Sequence, residues 1–208
     1  MTENTWFTVI APEHMLVWIA KQCPERKLRL YAIACCRRLT HRCSNLLADA
    51  LAEAETLADQ PTSGKGNAFR VSRAALRWGA RDELGLVDAL AERDPFRSAQ
   101  LASDNVIAAV TARNSSSWEE RWFQAQCLHD LVGNPFRSTS FTAAWRTETV
   151  QLVAKQMYET HEFSGMPVLA DALQEAGCDS ADILDHCRDM SQAHVRGCWV
   201  VDLVLGKN

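Results

Sequence analysis

From Val150 onward, apolar or amphipathic side chains recur at Val150, Val153, Ala154, Met157, Tyr158 and His161, always one, three or four residues apart. That spacing lines one face of a 3.6-residue repeat and predicts an amphipathic helix. The same period governs a segment from about Glu25 to Arg42, where Leu28, Ala32, Cys35 and Leu39 stack on one face. Leu30, Tyr31 and Ile33 fall outside that stripe, so this helix should touch neighbours on more than one side. No alternating run of period two competes. Only CWVVDLVL, from Cys198 to Leu205, has the composition of a buried strand, and with Gly206 as a stop in a helical background it is better read as a last helix. The predicted fold is all-α: a compact array of about eight to ten helices, with stacked helical hairpins as one arrangement.

Start and stop signals place further helices. Pro12 suits a first turn ahead of Met15, Leu16 and Trp18. Ser117-Trp118-Glu119-Glu120 has the form of a capping box, and Pro167 can open a helix that Gly177 closes. Asp179 or Ser180 can cap the next helix through Ile183 and Leu184. The segments 48–58 and 68–93 are rich in good helix formers. Residues 61–67 (PTSGKGN) and 133–142 (GNPFRSTSFT) read as loops, so a single domain of 1–208 is expected in three helical blocks, 1–60, 68–131 and 143–208. Asp94-Pro95-Phe96-Arg97-Ser98 and Asn134-Pro135-Phe136-Arg137-Ser138 are near copies forty residues apart. They suit either stacked hairpins or one turn built twice, in which Asp or Asn starts the turn, Pro presets φ and Phe pins it to the core.

A chain of 208 residues buries roughly 70% of its unfolded surface when compact, enough for a core without staples. Its 47% hydrophobic and 23% charged residues match ordinary globular usage and exclude disordered or collagen-like classes. The apolar run from Met15 to Ala20 is too short for a membrane span, and Met1-Thr2-Glu3 supplies no basic leader. A cytoplasmic location is expected, with the eight cysteines as free thiols that mostly fill core space.

The densest set of potential ligands lies near the carboxyl terminus: Cys178, His186, Cys187, His194 and Cys198. Cys178, Cys187, His194 and Cys198 form C-x8-C-x6-H-x3-C, a thiolate and imidazole set suited to tetrahedral zinc but lacking a C-x2-C knuckle. No other cofactor is expected, and packed thiols with histidines bonded to helix ends account for the same residues. A thiol enzyme would use Cys187 as nucleophile, His194 or His186 as base and Asp202 as orienter. Adjacent residues on a helix point about 100° apart, which places His186 and Cys187 poorly for mutual reaction. Cys35, Cys36 and Cys43 read as core. The usual phosphate-loop, dinucleotide, zincin and hydrolase signatures are absent from the sequence.

Charge is unevenly spread. The stretch from Lys21 to Arg42 holds seven basic residues and one acidic one, a local +6 in a chain of net −4. Arg26, Lys27, Arg29, Arg37, Arg38 and Arg42 are candidates for gripping nucleic acid or another anionic partner. They occupy two sides of the helix, which suits internal pairing with Asp and Glu better than groove reading. Trp78, Trp118, Trp122 and Trp145 are candidates for a protein-binding face, with core packing as the alternative for each.

Two stretches carry a resemblance. Trp6, Pro12, Met15 and Leu16, followed by Arg26-Lys27-Leu28-Arg29-Leu30-Tyr31-Ala32 and Ala34-Cys35-Cys36-Arg37-Arg38, form the first. The second comprises Gly133-Asn134-Pro135-Phe136-Arg137, Trp145-Arg146-Thr147, Leu169-Ala170-Asp171-Ala172-Leu173, Ala176-Gly177-Cys178-Asp179, His186-Cys187-Arg188 and the run from His194 to Asp202 (HVRGCWVVD). Together, over about half the chain, they resemble a family of uncharacterised bacterial proteins abundant in planctomycetes. The resemblance implies no particular activity, and it draws attention to the carboxyl-terminal residues as the first place to look for a site. Where that family has an Ala-rich insert, this chain has the more ordinary segment 68–116. The expected function is a non-catalytic protein–protein interaction module or accessory subunit of a larger bacterial complex. A zinc-stabilised or nucleic-acid-binding regulator is second and a cysteine-dependent enzyme third, and no membrane partner is expected.

Overall fold

The structure, a computed structural model, describes residues 1–40, 45–60, 81–112 and 116–207. Arg42, Cys43, Trp78 and the 61–67 loop lie outside the described residues. Among those described there are eleven α-helices and no strand: α1 (Glu3–Thr8), α2 (Pro12–Ile19), α3 (Glu25–Arg37), α4 (Asn45–Ala58), α5 (Arg81–Ala91), α6 (Pro95–Thr111), α7 (Ser117–Val132), α8 (Glu148–Thr160), α9 (Met166–Glu175), α10 (Ala181–Arg188) and α11 (Trp199–Leu205). The all-α class is as expected, and CWVVDLVL does end in a helix. None of these helices is long and apolar enough to cross a membrane. The sequence suggests one domain in three blocks; the chain divides into two compact units, Met1–Leu128 and His129–Asn208.

In the first unit α3 packs against α4, α5 and α6. Leu28, Ala32, Cys35 and Leu39 are buried, and so are Leu30, Tyr31 and Ile33, as a helix with neighbours on several sides requires. The helix stops at Arg37 and not at Arg42. Its end tightens, with Leu39 N–H donating to the Cys36 carbonyl at 3.1 Å, while the Thr40 hydroxyl donates to the Arg37 carbonyl at 2.8 Å. Those bonds satisfy carbonyls that a continuing helix would have used.

Two other local expectations need correction. Asp94-Pro95 opens the helix α6 instead of a turn: Asp94 Oδ1 accepts the Arg97 N–H at 2.7 Å and Pro95 takes the first helical position. Its near copy makes a turn with no helix after it, Asn134 Oδ1 accepting the Phe136 N–H at 3.0 Å, and Phe136 is exposed instead of pinned to the core. Glu120 does not fold back as a capping box. It is buried, accepting from Gln124 Nε2 at 3.0 Å and from Arg38 Nε at 3.3 Å.

The second unit contains the last turn of α7, a 3-10 turn (Ala143–Trp145) and α8 to α11. Val150, Ala154, Met157 and Tyr158 of α8 meet Leu169 and Leu173 of α9 and Val200, Val201 and Val204 of α11 in one core. His161 is not part of the apolar stripe; it ends α8 in the left-handed region at φ 62°. Pro167 lies in the first turn of α9 as expected. Gly177, at φ 87°, closes that helix with a paired exit: its own N–H reaches the Gln174 carbonyl at 3.0 Å, and the Cys178 N–H reaches that of Leu173 at 2.9 Å. Ser180 stands at the N-cap of α10.

Candidate functional site

Four side chains of the second unit converge. Asp130 comes from the last turn of α7, His186 from α10, His194 from the connection between α10 and α11, and Cys198 from the position that caps α11. Each offers one donor atom, and the four atoms all lie within 4.8 Å of one another. Asp130 Oδ1 accepts from His194 Nδ1 at 2.7 Å and lies 3.1 Å from His186 Nε2. The same His186 nitrogen is 3.2 Å from Cys198 Sγ. The second carboxylate oxygen is also used: Asp130 Oδ2 accepts the Val195 N–H at 2.8 Å, which fixes the backbone between His194 and Cys198.

The site is closed. Asp130 and Cys198 are fully buried, and the His186 and His194 side chains keep only 8% and 7% of their exposure. His186 is flanked by the ring of His194, centroids 5.0 Å apart and edge to face, and by the indole of Trp199 at 5.1 Å. Phe163 covers His194 at 6.4 Å. Nε2 of His194 is buried with no hydrogen-bond partner, an arrangement that native interiors seldom tolerate.

Electrostatically the carboxylate is the anchor. Burial alone would raise the Asp130 carboxyl, but hydrogen bonds and charge from His186 and His194 prevail and hold it below the usual carboxylate range. It therefore stays ionised, near the negative end of the α7 dipole, where a carboxylate is disfavoured unless positive charge accompanies it. Burial and the Asp130 charge push the Cys198 thiol well above its ordinary value. Burial pushes Cys187 up to about 12.

Of the residues expected as a metal quartet, His194 and Cys198 are brought together. Cys178 and Cys187 are packed in the same core but outside the four-residue group, and Asp130 and His186 take the two places expected of those cysteines. The orienting carboxylate for the imidazoles is likewise Asp130, while Asp202 is buried on α11 outside the group. On α10, His186 turns to the centre and Cys187 to the apolar core, as their angular offset requires. Asp130 was not foreseen. The available signal was a charged residue inside the otherwise mostly apolar turn Cys127 to Val132.

The basic candidates of α3 are engaged inside the first unit. Arg26 Nε donates to Asp59 Oδ1 at 3.0 Å, and Arg37 donates to Glu55 Oε1 at 2.6 and 2.8 Å. Arg29 donates to the carbonyls of Glu92 and Arg93 at 3.0 and 2.6 Å. Arg38 lies over Phe123 and reaches Glu120, and Lys27 is buried. Of the tryptophans, Trp118 and Trp122 are exposed and Trp145 is buried. None of the seven described cysteines is in a disulfide, and six of them are buried. No protein-family model, curated protein or solved structure matches this chain.

Proposed function

We propose that this chain is a non-catalytic protein–protein interaction module, an accessory subunit of a larger bacterial complex acting in the cytoplasm. The observation that carries the reading is the exposure of Trp118 and Trp122, one turn apart on α7, at 57% and 38%. Large aromatic side chains are costly to leave in water and are the commonest anchors of protein interfaces. A salt bridge steadies their setting: Arg121 Nη1 donates to both Glu13 oxygens, at 2.7 and 2.8 Å, and one turn beyond Glu13 on α2 stands exposed Val17. Exposed aromatic side chains on either side of a salt-bridged arginine have the composition of a docking patch.

Other observations favour this reading over its rivals. A thiol–imidazole catalyst uses one imidazole nitrogen for the nucleophile and the other for the carboxylate. Here the same nitrogen of His186 faces both Cys198 and Asp130, in a closed site. The guanidinium groups of Arg26, Arg29, Arg37 and Arg38 already have partners within the first unit, so their charge serves the fold before any phosphate backbone.

The test is affinity capture from the native host with the wild-type chain beside a Trp118→Ser, Trp122→Ser double variant. A protein retained by the former and lost by the latter, at unchanged helical content and melting temperature, supports the proposal. An identical captured set, or turnover of a substrate by the isolated chain, overturns it.

A further inference from the structure

We infer that Asp130, His186, His194 and Cys198 are the ligands of a structural divalent zinc ion. The donor types come first. A carboxylate oxygen, two imidazole nitrogens and a sulfur form the mixed set that a borderline-soft, four-coordinate cation takes, and the thiol argues against magnesium or calcium. Zinc bonds of about 2.0 Å to nitrogen and oxygen and 2.3 Å to sulfur give a tetrahedron with edges of roughly 3.3–3.5 Å. The observed contacts of 2.7, 3.1 and 3.2 Å, within a group spanning no more than 4.8 Å, differ from those edges by displacements that side-chain torsions supply.

Charge and proton counting point the same way. Two neutral imidazoles, a carboxylate and a thiolate carry −2, which a dication cancels, leaving a neutral centre in a closed interior. His186 Nε2 faces both Asp130 Oδ1 and Cys198 Sγ, so three donor atoms of the set already stand together. His194, 93% buried by its side chain, turns Nδ1 to the same Asp130 oxygen that faces His186, so both imidazoles converge on one carboxylate oxygen. The outer layer is of the kind that orients metal ligands: a backbone N–H on Asp130 Oδ2 and aromatic faces on both imidazoles.

The closed setting assigns a structural role. A catalytic zinc keeps a position open to water, whereas all four groups here are sealed. The ion would tie the end of α7 to α10 and to the 189–198 connection, which has no regular helix to hold it.

The test uses the full chain, purified without chelator, assayed for zinc and then reconstituted with cobalt. The inference predicts about one zinc per chain, a higher melting temperature with zinc than with chelator, and a cobalt spectrum with a thiolate charge-transfer band and intense tetrahedral visible bands. Cys198→Ala should abolish that band and weaken zinc binding by about 100-fold or more, while Cys187→Ala should retain both. Because Cys198→Ala can also impair folding, the wild-type chain supplies a second readout: zinc should slow alkylation of Cys198 at least tenfold over chelator-treated protein and leave Cys35 unchanged. Absence of the charge-transfer band and of any zinc effect on melting or alkylation overturns the assignment. So does a band that survives Cys198→Ala and disappears in Cys187→Ala.

Discussion

The backbone of Gly133, at φ 70°, lies against the indole of Trp199, so that a β-carbon at this position would stand 3.1 Å from Trp199 Cγ. This contact backs the buried centre, since the same indole lies 5.1 Å from the His186 ring. Gly133→Ala therefore combines left-handed strain of about 1–2 kcal/mol with overpacking of about 1–3 kcal/mol. We expect a loss of roughly 2–5 kcal/mol in urea unfolding, together with a shift in tryptophan emission as the indole is displaced.

Gly177 isolates the first of those two contributions. It is also left-handed, at φ 87°, but an added β-carbon meets nothing within 4 Å. Gly177→Ala should therefore cost only about 1–2 kcal/mol, and Gly177→Asn less, because Asn tolerates this conformation better. If the two alanine variants prove equally destabilised in the same denaturant, the steric role of Trp199 is refuted.

Much of the second unit was legible because its signals are local. Pro167, Gly177 and the α8 stripe each act within a few residues, and apart from His161 the structure uses them as read. The centre was half legible for the same reason. His194 and Cys198 lie four residues apart, but Asp130 acts on them from 64 residues upstream, a relation that no spacing pattern encodes. Choosing between His186 and Cys187 required knowing which side of α10 faces the core. Asp94-Pro95 and Asn134-Pro135 show a different limit, since both spellings satisfy turn chemistry and only the residues that follow decide whether a helix continues.

Arg146 supplies the last carbonyls of α11 with donors, Nε to Val204 at 3.1 Å and Nη2 to Leu203 at 2.8 Å, with its guanidinium 5.0 Å from the Phe141 ring centroid. A planar fork is needed to serve two carbonyls at once. Arg146→Met should cost about 1–2 kcal/mol and speed amide exchange near Leu203 to Leu205, and Arg146→Lys should recover less than half of the loss.

In the first unit, Gln124 is fully buried and spends all its hydrogen-bonding capacity. Its oxygen accepts from Tyr31 at 3.3 Å and Ser103 Oγ at 2.6 Å; its nitrogen donates to Glu120 at 3.0 Å and to the Ser103 carbonyl at 3.4 Å. Gln124→Met conserves volume but takes a shared acceptor from two buried hydroxyls and weakens the support of a buried carboxylate. A loss of about 2–4 kcal/mol is expected, exceeding that of Ser103→Ala in the same assay.

Alkaline pH should loosen the first unit before any residue is changed. Burial pushes the Cys35 thiol and the Tyr31 hydroxyl well above their ordinary values, and pushes Cys23 up to about 11. Below pH 9 these thiols are protonated in both folded and unfolded chains, so their contribution is constant. Above it, the unfolded chain gains the ionised form while the folded chain does not, and stability falls until the folded value is passed. Each thiol contributes a slope of at most about 1.4 kcal/mol per pH unit, with Tyr31 joining above about pH 10. Urea midpoints should therefore be flat from pH 7 to about 8.5 and fall steadily beyond. Cys35→Ala should start lower at pH 7 and decline less steeply. An alanine variant with an undiminished alkaline slope would show that the buried thiol is not the source of the loss.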